Sequence, residues 1–97
     1  RSVGIDHPDY ATFINNVAVL YSATGDYHHA ESLYNQALAI RRRAVGEDHP
    51  DYAMALNNLA DLYTTIGNYT RAEPLLERAL EIRRRRLGSV HQVSLRV

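Results

Sequence analysis

Apolar and small residues recur along this chain at helical spacing. Tyr10, Ile14, Val17, Ala18 and Tyr21 follow one another by four, three, one and three residues, which puts them on one side of an α-helix. A second stripe, Ala30, Leu33, Tyr34, Ala37, Leu38 and Ile40, has the same period. The second half of the chain carries both stripes again. They are Tyr52, Leu56, Leu59, Ala60 and Tyr63, then Ala72, Leu75, Leu76, Ala79, Leu80 and Ile82.

The punctuation between stripes is just as regular. A residue before proline is steered out of helical geometry, so His7 and His49 read as caps, with Pro8 and Pro50 as first helical residues. Asp9 follows in the first turn, where the helix dipole favours an anion. Gly25 stops the first helix and Asp26 caps the second. Gly46, Gly67-Asn68 and Gly88 mark the later breaks. Pro74 falls early in its helix, where a missing N–H costs little. Four helices are predicted, over about 8–24, 27–44, 50–66 and 69–87.

The two halves are copies. Asp6-His7-Pro8-Asp9-Tyr10-Ala11 returns as Asp48-His49-Pro50-Asp51-Tyr52-Ala53, an offset of 42 residues. The register continues through Asn15-Asn16 and Asn57-Asn58, Leu20-Tyr21 and Leu62-Tyr63, and Ala30-Glu31 and Ala72-Glu73. It still holds at Ile40 to Arg43 and Ile82 to Arg85. Residues 6–46 and 47–88 are therefore two repeats, which points to a stacked array. Arg1 to Gly4 align with Arg43 to Gly46, so residues 1–5 read as the end of a preceding repeat and the chain as a piece of a longer protein. In residues 89–97 only His91 keeps register; they read as the start of a divergent third repeat or a tail.

Composition narrows the functions. Net charge is zero, so overall charge favours no polyanion. With no cysteine, disulfides and thiolate metal sites are excluded. No apolar run approaches the roughly 20 residues of a membrane span. Ninety-seven residues make at most one ordinary domain.

The spacing Ile14-x-x-Val17-Ala18-x-x-Tyr21, Ala30-x-x-x-Tyr34 and Ala37, and its second copy Leu56-x-x-Leu59-Ala60-x-x-Tyr63, Ala72-x-x-x-Leu76 and Ala79, resembles the tetratricopeptide repeat. The period is 42 instead of about 34, and Arg42 and Arg84 stand where a proline usually closes the unit. Asp-His-Pro-Asp-Tyr-Ala, Leu-Asn-Asn-Leu-Ala, Tyr-x-x-Ala-Glu and Ala-Leu-Glu-Ile-Arg look like the kinesin-light-chain type. The resemblance implies an all-α fold: a right-handed α-solenoid of antiparallel helix pairs. It also implies a cytoplasmic adaptor or scaffold, part of a larger protein, that binds a partner protein or an extended peptide in a concave groove lined by the first helix of each pair.

On those helices the side away from the apolar stripe carries Thr12, Asn15, Val19 and Ser22 in one copy and Met54, Asn57, Asp61 and Thr64 in the other. Steps of three, four and three keep each set on one side. Asn16 and Asn58 stand at the edge. An asparagine amide accepts and donates at once, which suits a peptide backbone. The alternative is that one asparagine of each pair serves the neighbouring repeat. On this reading alanine at Asn15, Asn57 or Asp61 weakens peptide binding with little change in melting temperature.

The runs Arg41 to Arg43 and Arg83 to Arg86 point all round their helices and are offset by glutamates, with Glu81 able to meet Arg84 and Arg85. They read as solvated helix ends, not a nucleic-acid site. The five histidines lack a completing carboxylate set, so no metal is expected. No cofactor loop or nucleophile elbow occurs, so neither a cofactor nor an enzyme activity is expected. Tyr27 and Tyr69 read as packing residues between helices. Two repeats with cut ends leave apolar surface, so self-association through the repeat ends is expected, and a purely structural or oligomerisation role stands as the alternative function.

Overall fold

The computed structural model describes residues 8–95, with side chains for residues 9–86. It contains four α-helices: α1 (Pro8–Ala23), α2 (Tyr27–Val45), α3 (Pro50–Thr65) and α4 (Tyr69–Leu95). Helices α1 and α2 form one hairpin, α3 and α4 the other, and α2 packs on α3 to join them. The result is a slab of 49 × 40 × 16 Å with a radius of gyration of 15.0 Å. A compact globule of this length has about 12.5 Å. Hairpins laid side by side give the larger value.

The helix ends follow from local chemistry. Pro8 and Pro50 start their helices. His49 is the N-cap of α3, and its Nδ1 accepts from the Asp51 N–H at 3.0 Å. Asp26 caps α2 by accepting from the His29 N–H, and Asn68 accepts from the Arg71 N–H at the head of α4. The hairpin turns are two copies of one device. Gly25 has φ +85°, its N–H reaches the Ser22 carbonyl, and Asp26 N–H reaches the Tyr21 carbonyl at 2.9 Å. Gly67 (φ +82°) and Asn68 do the same to Thr64 and Tyr63. This paired closure needs a left-handed residue, and glycine takes that conformation without a Cβ clash.

The core lies in three clusters. Ala11, Ile14, Ala37 and Ile40 fill the first hairpin, and Tyr52, Ala53, Leu56, Ala79 and Ile82 fill the second. Between them Ala30 and Tyr34 of the first copy meet Leu59, Leu62 and Tyr63 of the second. Alanines at the crossings (Ala18, Ala30, Ala60, Ala72) are at most 2% exposed. They bring the helix backbones close, so the larger side chains interlock around them.

Three expectations need correction. Helix α4 does not stop at Leu87 but continues through Gly88 to Leu95. After Gly46 the chain meets Pro50, which forbids helix before it, whereas no proline follows Gly88. A glycine alone weakens a helix by only about 1 kcal/mol. Second, not every residue of the predicted stripes is buried: Tyr10, Leu76 and Leu80 are 37, 40 and 54% exposed. Third, Tyr69 is 66% exposed, while its counterpart Tyr27 packs against the central cluster. Among the described residues, no other repeat covers the faces on which these four lie. The expectations for residues 1–5, for His7 as a cap and for the side chains of 89–97 lie outside the described residues.

Candidate functional site: the face shared by α1 and α3

Helices α1 and α3 start alike and carry asparagine pairs in the same register. Their outward faces therefore run on into one another. The contact that joins them is direct: Asn58 Nδ2 donates to Asn15 Oδ1 at 2.8 Å. Both side chains are half-buried. The predicted alternative, that one asparagine of each pair serves the neighbouring repeat, is met by Asn58. Asn16 holds the same position in α1, but no helix lies upstream of it among the described residues, and it is exposed.

The remaining predicted residues fall around this pair. Asn57 is half-buried, and its Oδ1 accepts from Arg83 Nη1 at 3.4 Å, a long bond. Thr12 is exposed, and its hydroxyl accepts from Arg41 Nη2 at 3.2 Å. Ser22 is half-buried; Asp61 and Thr64 are exposed. Val19 and Met54 are 48 and 45% exposed, apolar surface next to amides. The Asp61 carboxylate has no hydrogen-bond or ion-pair partner among the described residues.

Arg41 and Arg83 are the participants that sequence reasoning missed. They are the first arginine of each run, and both bond a neutral oxygen on the α1–α3 face. Other members of the runs do something else. Arg85 Nη1 lies 2.6 Å from Asp48 Oδ1 and Nη2 lies 3.0 Å from Glu81 Oε2, and Arg86 Nε donates to the Asp48 carbonyl at 2.9 Å. Arg78 adds a 3.1 Å contact to Glu81. These arginines are not merely solvated: they clamp the α2–α3 loop to α4. Arg85, then Arg78, hold the Glu81 carboxyl below its usual range. The signal was there in the sequence, since Arg85 is four residues after Glu81; the loop aspartate was not foreseeable from spacing.

A second polar cluster braces the junction away from the hairpin cores. The Tyr63 hydroxyl donates to Glu31 Oε2 at 2.6 Å, Arg71 Nη1 lies 3.5 Å from the same oxygen, and the Arg71 guanidinium sits 5.8 Å from the Tyr63 ring centre. Burial, reinforced by Glu31, pushes the Tyr63 phenol up. At the first hairpin turn, His29 Nδ1 lies 2.7 Å from Asp26 Oδ2 and its ring stacks on Tyr21 at 5.0 Å. The hydrogen bond from the His29 side chain, then that from its backbone N–H, holds Asp26 below the carboxylate range. Among the described residues no group of three His, Asp or Glu side chains is placed to hold a metal ion, and no helix is long and apolar enough to cross a membrane.

Stacked helix hairpins with a continuous first-helix face define a repeat scaffold. The sequence model of the tetratricopeptide repeat matches residues 9–85, and the chain belongs to that family. The family is a non-catalytic scaffold whose members bind other proteins. Among solved structures, 27 chains match. One is the crystal structure of BtubC (BKLC) from P. vanneervenii, at 34% identity and a TM-score of 0.69 over 80% of this chain. The match spans 32% of the BtubC chain. No curated protein matches.

Proposed function

We propose that the α1–α3 face binds an extended peptide segment of a partner protein, in a cytoplasmic adaptor or signalling protein of which this chain is a part. The observation that carries this reading is the Asn15–Asn58 bond. It uses one donor of Asn58 and one acceptor site of Asn15. That leaves donor capacity on the Asn15 amide and acceptor capacity on the Asn58 carbonyl, a pair suited to the C=O and N–H of one residue in an extended peptide. Around them Thr12, Val19, Met54 and Asp61 differ between copies in size, polarity and charge. Such positions read side chains, while the amides read backbone. Affinity then comes from backbone bonds, and specificity from the flanking positions.

Alanine at Asn15 no longer tests binding cleanly, because it also removes the bond between repeats, worth about 1 kcal/mol. The test uses Asn57→Ala, Asp61→Ala and Met54→Ala. Peptides are selected on the chain from a random display library, and their affinities are measured by fluorescence anisotropy. The expected result is a several-fold loss with each variant at unchanged melting temperature. No enriched peptide, or peptides indifferent to all three changes, overturns the reading.

A second reading, self-association through the repeat ends, is favoured by a separate observation. Phe13 and Leu20 on α1 are 62 and 66% exposed, whereas their counterparts Ala55 and Leu62, covered by the first hairpin, are each 2% exposed.

A further inference from the structure

We propose that the segment bound by the α1–α3 face carries an acidic and a basic residue two positions apart, the acid held by Arg83 and the base by Asp61. The inference rests on the peptide-binding reading and names the kind of segment that fits.

The face presents charges that the fold itself does not use. Arg42, Arg71, Arg78 and Arg85 each meet a carboxylate. Arg41 and Arg83 instead donate to the neutral oxygens of Thr12 and Asn57, at 3.2 and 3.4 Å, and form no ion pair among the described residues. These bonds hold both guanidiniums on the face and leave their charge uncompensated. Donors remain on each, since a guanidinium carries five N–H groups. An adjacent repeat does not supply the missing anion. Arg41 has a hairpin after it and Arg83 a hairpin before it, and neither gains a carboxylate there.

Asp61 supplies the opposite charge. It is exposed, stands one turn beyond Asn57 on α3, and has no partner among the described residues. Burial first, and then the Asp61 charge, push the Tyr34 phenol up, so the carboxylate stands close to where the hairpins join. Arg83 and Asp61 therefore belong to one stretch of the face, yet they form no ion pair with each other.

Their spacing sets the motif. Side chains four apart on a helix, as Asn57 and Asp61 are, lie about 6 Å apart. Alternate residues of an extended segment point the same way and lie about 6.6 Å apart. Residues i and i+2 of such a segment thus reach Arg83 and Asp61 together, with opposite charges. In the first copy Val19 stands where Asp61 does, so the basic residue has one place to go. The order of the two charges then fixes the direction in which the segment lies.

The test selects peptides from the random display library on four chains: the unmodified one, Asp61→Lys, Arg83→Glu and the double variant. Both side chains are exposed, and circular dichroism checks that each variant is folded. Peptides enriched on the unmodified chain should carry an acidic and a basic residue two apart, all in one order. Asp61→Lys should exchange the basic residue for an acidic one, Arg83→Glu should do the converse, and the double variant should reverse the order. The milder Asp61→Asn and Arg83→Gln should each lose only the matching preference. By fluorescence anisotropy, neutralising either charge of an enriched peptide should cost about two- to fivefold in affinity, the range for an exposed pair, and the loss should vanish on the variant that lacks the facing charge. Enriched peptides without the pair, with acidic residues alone, or with charges that do not follow the substitutions overturn this inference and leave the peptide-binding reading standing. No enriched peptide on any chain overturns the peptide-binding reading and this inference with it.

Discussion

Leu62→Ala and Leu20→Ala form a matched pair, because the two leucines hold the same repeat position. Leu62 is 2% exposed, inside the cluster that joins the hairpins, and Leu20 is 66% exposed at the free end. Truncating a fully buried leucine removes its transfer free energy and leaves a cavity, about 2–5 kcal/mol together. Leu20 has only about a third of its surface covered, and a full leucine side chain is worth about 1.5–3 kcal/mol on burial, so its truncation costs less than about 1 kcal/mol. A domain of this length has roughly 5–15 kcal/mol in total. At about 4–8 °C per kcal/mol, Leu62→Ala lowers the melting temperature by at least about 8 °C, against a few degrees for Leu20→Ala. Urea unfolding at low micromolar concentration, where association contributes little, reads the difference directly. The midpoint should fall with an unchanged slope, since the surface exposed on unfolding is nearly the same. Equal losses for the two variants would show that the α2–α3 junction does not bury Leu62, and the account of stacking would fail with it.

Two further predictions concern the junction and the turns. Tyr63→Phe removes the hydrogen bond to the Glu31 carboxylate and should cost about 1.5–3 kcal/mol in urea unfolding, the range for a bond to a charged group. The same phenol and that of Tyr34 are both raised in the folded state, chiefly by burial, so the folded chain holds their protons longer than the unfolded chain. Stability is then full below about pH 10 and falls as pH rises beyond it, and Tyr63→Phe should shrink that fall. Gly67→Ala tests the turn: a Cβ there meets nothing within 4 Å, so the loss comes from the positive φ alone and should be about 1–2 kcal/mol by thermal unfolding.

Much of the fold was legible because the chain states it twice. Proline at N1, glycine at the turn and an aspartate or asparagine after it act within a few residues, and both copies agree. The end of α4 was misread because glycine was treated as a stop in its own right. At Gly25 and Gly67 the stop comes from a set of capping bonds, and at Gly46 the residues leading to Pro50 take the chain out of helix. The packing between the hairpins was not legible from the stripes. A 3.6-residue stripe marks an apolar side of a helix without saying what that side packs against. Leu62 and Ala55 lie off that stripe and are buried by the other hairpin, while Leu76 and Leu80 lie on it and remain exposed. Periodicity carries no information about which repeat has a neighbour. The reach of Arg41 and Arg83 to the α1–α3 face was likewise invisible, since it depends on how the hairpin brings α2 back beside α1.

The two copies also separate the jobs of the asparagines from those of their neighbours. At most positions buried in both copies the copies agree, as at Ala11 and Ala53, Ala18 and Ala60, Ala37 and Ala79, and Ile40 and Ile82, and Ile14 and Leu56 differ only in branching. Packing at that density admits little else. Where a position faces outward from α1 and α3, they differ: Thr12 and Met54, Val19 and Asp61, Ser22 and Thr64. Asn15-Asn16 and Asn57-Asn58 break this division, being identical without being buried. The Asn58 to Asn15 bond accounts for one amide of each copy, because it joins the two repeats. On the proposed reading, a peptide laid along the face meets this same amide pair and so contacts both repeats. Ligand binding and repeat stacking are then linked, since whatever binds only the stacked form stabilises it by mass action. A peptide selected on the chain should therefore raise the melting temperature of Leu62→Ala as well as that of the unmodified protein.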